Sequence, residues 1–186
     1  MEITKRKLDG VFEIQLKPIL DERGFFMRAF DLEAFKSAGL DRMWMQENHS
    51  RSERAGIVRG LHFQFPPFAE TKLVRCIRGS VWDVFVDLRR HSPTFGQWDG
   101  LELSEANKKM VFIPRGFAHG FCTLTPESEV LYKVDNTYNR EHEGGLLWSD
   151  PDLAIEWPVT TPFLSEKDNR NPTFQAFVDR HGGLLV

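Results

Sequence analysis

Cysteine is scarce in this 186-residue chain: Cys76 and Cys122 are the only two, and each lies in a strand-like apolar run. A secreted fold built on disulfides needs more bridges than that, so both are expected as buried free thiols. No apolar run approaches the roughly 18 residues of a membrane-crossing helix. The opening residues, Met1-Glu2-Ile3-Thr4-Lys5-Arg6-Lys7, are basic but lead into no apolar stretch of signal-peptide length, which makes the cytoplasm the expected compartment. A strong charge of one sign is also missing: the formal net charge of -3 argues against general nucleic-acid binding. Strong metal-ligand spacing is absent too. His62-Phe63-Gln64 offers one imidazole where a His-x-His pair would offer two, and Gln is a weak ligand. Arg78-Gly79-Ser80 and Gly144-Gly145 do not amount to a nucleotide-binding glycine motif, and no repeat or low-complexity tract is present.

What the chain does have is an ordinary globular balance, 41% apolar and 27% charged, enough for one domain with a real core. Sixteen phenylalanines and five tryptophans make that core, or an interface between copies, aromatic. Strand signals recur at short intervals. Val11 to Leu16 and Phe25 to Phe30 flank the turn-like Asp21-Glu22-Arg23-Gly24, and further strands are predicted for Met43 to Asn48 and Ile57 to Phe65. Pro66-Pro67 ends that last ladder. Lys72 to Ile77, the bend Arg78-Gly79-Ser80 and Val81 to Leu88 read as a hairpin. Gly100 to Leu103, Lys109 to Ile113, Gly116 to Leu124 and Val130 to Val134 continue the pattern. Short helices are predicted only for Leu32 to Ala38, stopped by Gly39, and for Thr173 to Arg180, stopped by Gly182-Gly183. Many short strands without alternating long helices predict a mainly β sandwich or barrel.

Several polar residues interrupt these apolar strands: Arg59, His62, Gln64, Lys72, His119 and Tyr132, with Ser165-Glu166-Lys167-Asp168 following near the C-terminus. Rigid strands can aim such groups into one cavity, which suits acid–base chemistry. His62 is the best base, because imidazole exchanges a proton near neutral pH; alternation puts it on one face with Gln64, opposite Leu61 and Phe63. Lys72 is either an exposed edge lysine or an inward cation that stabilises an oxyanion. His119 makes a structural hydrogen bond or an anion contact, and Tyr132 packs or serves as a general acid. Asp168 is either an exposed turn residue or the partner that orients His62. Arg23, Arg59, Arg115, Lys72 and Lys167 could form a basic pocket for a phosphorylated ligand.

At these residues the sequence resembles the dTDP-4-dehydrorhamnose 3,5-epimerase family. The resemblance rests on Asp21-Glu22-Arg23-Gly24-Phe25-Phe26, Gln46-Glu47-Asn48-His49-Ser50, Val58-Arg59-Gly60-Leu61-His62-Phe63-Gln64 and Lys72-Leu73-Val74-Arg75-Cys76. It continues through Ser92-Pro93-Thr94-Phe95-Gly96, Ile113-Pro114, Gly116-Phe117-Ala118-His119-Gly120-Phe121 and Leu131-Tyr132-Lys133. Trp148-Ser149-Asp150-Pro151, Ile155-Glu156-Trp157-Pro158 and Leu164-Ser165-Glu166-Lys167-Asp168 complete it.

The resemblance implies a cupin-type jelly roll acting on a nucleotide-linked 4-keto-6-deoxyhexose, with no cofactor and no metal, as a homodimer. It implies that His62 abstracts protons at C3 and C5, Asp168 supports the imidazolium, Lys72 stabilises the enolate and Tyr132 returns a proton from the other face. Arg23, Arg59, His119 and Lys167 then line the sugar or diphosphate region, while Phe26, Gln46, Asn48 and Tyr138 lie near the nucleotide end. Three positions depart from the family pattern: Arg28 and Arg115 each stand in place of Glu, and Glu70 stands in place of Gln. Arg28 is expected to alter contacts to the base or turn the local pocket outward, Glu70 to pair with Lys72 or shift its pKa, and Arg115 to add positive potential near the cleft. The alternatives are an enzyme that epimerises one carbon or shifts the keto group, a non-catalytic sugar-nucleotide binder, and a metal-dependent cupin oxygenase.

Overall fold

A computed structural model describes residues 1–186. Thirteen strands, two α-helices and two short 3-10 turns (Arg140–His142 and Asp168–Arg170) account for its regular structure. In chain order the strands begin with β1 (Glu2–Lys5), β2 (Phe12–Gln15), β3 (Ile19–Asp21), β4 (Gly24–Phe26), β5 (Gln46–Ser52), β6 (Val58–Gln64) and β7 (Lys72–Arg78). They continue with β8 (Ser80–Asp87), β9 (Trp98–Ser104), β10 (Lys109–Ile113), β11 (Phe117–Thr123), β12 (Ser128–Val134) and β13 (Glu143–Gly145). The helices are α1 (Leu32–Ser37) and α2 (Phe174–His181).

The strands form two facing sheets, of order β1-β2-β10-β7-β12-β5 and β13-β6-β11-β8-β9, with β3 and β4 as a separate hairpin. This is a sandwich, as the strand spacing predicted, and a jelly roll, as the resemblance implied. The predicted hairpin of Lys72–Ile77 with Val81–Leu88 is corrected. β7 pairs with β10 and β12, whereas β8 pairs with β11 and β9. Gly79, at φ +70°, carries the chain from one sheet to the other; a Cβ there would lie 2.4 Å from the Thr125 hydroxyl. The strand predicted from Met43 begins later, at Gln46.

Alternation explains why both sheet faces fill. Val81 and Phe85 of β8 point between the sheets and pack with Val74, Cys76, Phe117, Phe121 and Val130. Their neighbours Val84 and Val86 point outward, onto Leu61, Phe63 and Phe177 of α2. On the other outer face, Ile14, Leu73, Met110 and Phe112 are covered by Phe35 of α1. Asp31 caps α1, accepting from Glu33 and Ala34 N–H, and Thr173 caps α2, which ends at left-handed Gly182. Cys76 and Cys122 are free and buried, and burial pushes both thiols up to about 11.

Two of the sequence motifs serve this frame. Buried Asp87 accepts hydrogen bonds from the Arg89 guanidinium (2.7 Å), Ser92 Oγ (2.5 Å) and Thr94 Oγ1 (2.7 Å), so Ser92-Pro93-Thr94 wraps the β8–β9 connection around one carboxylate. Asp150 accepts from the backbone N–H of Asp152, Leu153 and Phe174, which ties the start of α2 to the Trp148–Pro151 turn.

Candidate active site

The same alternation puts polar groups on the inward faces at one end of the sandwich. On β7, Lys72 shares its face with Val74 and Cys76; on β12, Tyr132 shares its face with Val130; on β11, His119 lies between Phe117 and Phe121. His62 of β6 is the register partner of His119. Together they line a cavity of about 500 Å³, with Arg59, Ser50, Phe121, Phe163, Lys167 and Asp168 also in its wall. His62 and His119 belong to one sheet, and Lys72 and Tyr132 to the other.

Arg59 lies three positions before His62, so a regular strand would send the two to opposite faces. A register shift between His119 and Phe121 breaks the β6–β11 ladder there, and both side chains reach the cavity. The strands come close at this point. Gly60 has φ +126°, and a Cβ on it would stand 2.6 Å from Gly120 Cα. Arg59 is held by Ser52 Oγ and the Arg51 carbonyl, both at 3.1 Å.

His62 Nε2 lies 2.6 Å from Asp168 Oδ1. Asp168 is brought there by the Asp168–Arg170 turn, and its side chain is only 6% exposed. Burial works against its charge, but the His62 bond and charge, the Gly60 N–H and Ser165 together hold its carboxyl below the usual range. His119 Nε2 lies 2.9 and 3.1 Å from the two oxygens of Asp83. Asp83 is fully buried, and burial pushes its carboxyl up against the opposing pull of His119 and Lys72. Lys72 forms an ion pair with Glu70, and its ammonium stands 5.7 Å from the Tyr132 ring centre.

A second polar group lies at the rim. Lys167 pairs with Glu143 at 2.5 Å, and the Tyr138 hydroxyl donates to the same carboxylate at 3.0 Å. Burial opposes the Glu143 charge, yet these two bonds and the positive charges of Lys167 and His62 hold its carboxyl low. Gln46 joins this group by accepting from the Tyr138 N–H at 3.0 Å, and Asn48 pairs in register with Tyr132. Arg23 and Phe26 lie elsewhere, on the β3–β4 hairpin, 85% and 67% exposed, with Arg23 bonded to Asp21. They do not line the cavity of their own chain.

The departures also find their places. Glu70 pairs with Lys72 as expected. Arg28 pairs with Asp31, the α1 cap. Arg115 corrects its expectation: it binds Asp135 at 3.3 Å and lines a different hollow, with Arg42 and Arg89, so its charge is spent away from the cleft. Sequence reasoning missed Asp83, Glu143 and Ser50. Asp83 left a signal, a carboxylate at an inward position of an apolar strand, and Ser50 closes the Gln46–Ser50 motif; Glu143 left none.

Comparison with known proteins decides the family. The model of the dTDP-4-dehydrorhamnose 3,5-epimerase family matches residues 5–176. The chain belongs to the dTDP-4-dehydrorhamnose 3,5-epimerase family. It is 48% identical to the dTDP-4-dehydrorhamnose 3,5-epimerase of Shigella flexneri over 180 residues, 96% of this chain and 97% of that protein. The crystal structure of the Bacillus anthracis 3,5-epimerase with TDP and PPi bound superposes with a TM-score of 0.91 at 43% identity, covering 93% of this chain and 99% of that one. A dTDP-4-dehydrorhamnose 3-epimerase of Streptomyces niveus is 40% identical over 169 residues, 90% of this chain and 81% of that protein. No helix of this family member is long and apolar enough to cross a membrane.

Proposed function

We propose that the chain acts, as one domain, on a dTDP-linked 4-keto-6-deoxyhexose and inverts both C3 and C5. The observation that carries this reading is the composition of the cavity wall. An imidazole from one sheet faces a phenol and an ammonium from the other.

The ketone at C4 acidifies the C–H bonds on both sides of it. His62 removes the proton from C3 or C5, and Asp168, at 2.6 Å, stabilises the imidazolium that forms. The electron pair moves into the carbonyl, and Lys72 donates to the resulting enolate oxygen. Tyr132 then gives a proton to the same carbon from the opposite side, which inverts it; solvent restores both groups for the second carbon. Proton removal and return leave the oxidation state unchanged, so the reaction requires no redox cofactor. Arg59, His119 and Lys167 supply positive charge and hydrogen bonds for the sugar and its diphosphate.

Arg23 and Phe26 enter this scheme through a second copy. The hairpin that carries them also exposes Ile19, Leu20 and Phe25. Such an apolar projection is suited to burial against a partner. In a homodimer it brings Arg23 and Phe26 to the partner's cleft, near the nucleotide end marked by Gln46, Asn48 and Tyr138.

Incubation with the 4-keto sugar nucleotide in deuterated water tests the reading. Deuterium at both C3 and C5 of the inverted product is expected. Label confined to one carbon would leave a single-position epimerase, and no label at either would remove the epimerase reading.

A further inference from the structure

We propose that Glu70, which does not line the cavity, is a positioning residue that holds the Lys72 ammonium at the site of enolate charge. This role rests on the epimerase reading above. Glu70 stands behind Lys72 at the cavity wall, and the two side chains are 11% and 10% exposed. One Glu70 oxygen accepts from Lys72 Nζ, and the other accepts from Gln64 Nε2 at 2.9 Å. Gln64 is itself fixed to the backbone. Its Nε2 lies 3.0 Å from Phe68 O and 3.1 Å from Thr137 O, so its two N–H bonds are shared among these carbonyls and Glu70, and its Oε1 accepts from Asn139 N–H at 2.7 Å. A continuous polar chain thus runs from three backbone points through Gln64 and Glu70 to one ammonium.

The need for an anchor follows from the lysine itself. A four-carbon stem lets the ammonium wander, and each of its three N–H bonds can seek a different acceptor. Competing attractions are close: the Tyr132 ring at 5.7 Å, and the buried Asp83 carboxyl, which feels the Lys72 charge. Movement towards Asp83 would take the donor from the enolate oxygen to the His119 pair. Commitment of one N–H to Glu70 leaves two free for other acceptors, and donors fixed before charge develops are the effective ones. The carboxylate also offsets positive charge in a wall that already carries Arg59 and Lys167.

A cycle of variants separates this role from simple support of the Pro66–Thr71 segment. Glu70→Ala is expected to lower kcat by about 30- to 100-fold with KM changed less than about threefold, because the lost function is aim rather than binding. Glu70→Gln, whose amide oxygen can still accept from Lys72, is expected to recover activity to within about fivefold of wild type. In a Lys72→Gln background, Glu70→Ala should cost less than about twofold, since no ammonium remains to be placed. If Glu70→Ala does not fold, Glu70→Ser, too short to reach Lys72, makes the same comparison. An equal cost in both backgrounds, or a Glu70→Ala enzyme within threefold of wild type, overturns the role and leaves the epimerase reading intact. A wild type that places no deuterium at C3 or C5 overturns both.

Discussion

His62 is only as effective as the carboxylate that holds it. Replacing His62 with Ala should lower deuterium exchange by about 10²- to 10⁴-fold while ligand binding stays measurable by calorimetry; unchanged exchange would remove its assigned role. Asp168 also ties the site to acid stability. Its native carboxyl titrates below the ordinary 3.8, so its stabilising effect is fully present above that value. The effect is lost as pH falls through the depressed native value. The melting temperatures of wild type and Asp168→Asn should therefore differ most near neutral pH and converge as pH drops to about 2. Parallel curves across that range would show that the carboxylate charge contributes nothing.

The strands set how closely these side chains can meet. Gly60→Ala would push a methyl group against the Gly120 backbone at positive φ, and it should cost about 1–3 kcal/mol or more in urea denaturation. Alternation was readable from sequence: Leu61 and Phe63 are buried away from His62, and the inward and outward residues of β8 separate cleanly. Both helices were readable from their glycine stops. Partner strands were not. Arg78-Gly79-Ser80 looked like a hairpin bend because turn residues encode a local change of direction and say nothing about which sheet receives the next strand. Arg59 joined His62 only through a register shift that spacing does not reveal. Asp168 reached His62 across 106 positions of sequence, a contact that the family resemblance implied and no local pattern could. Arg115 illustrates the reverse limit. Its charge was legible, but its partner Asp135 was not.

The assembled sandwich hides its sulfur and exposes its hairpin. Cys76 and Cys122, buried and with thiols pushed up to about 11, should resist alkylation at about pH 8 in the native enzyme and react fully once it is unfolded. Rapid native labelling would show that the core opens. In the proposed homodimer, Phe26→Asp should shift the protein from dimer towards monomer in sedimentation and weaken nucleotide binding at least about tenfold, whereas an unaltered dimer with full affinity would remove the hairpin from the interface. In the proposed mechanism the two sheets matter most because they present His62 and Tyr132 from different walls of one cavity. Tyr132→Phe, assayed with the 4-keto sugar nucleotide in deuterated water, probes that arrangement directly. Exchange driven by His62 should persist within about tenfold while inverted product falls at least about 10²-fold. Exchange and inversion lost in equal proportion, or inversion left at the wild-type rate, would contradict a phenol acting across the ring from the imidazole.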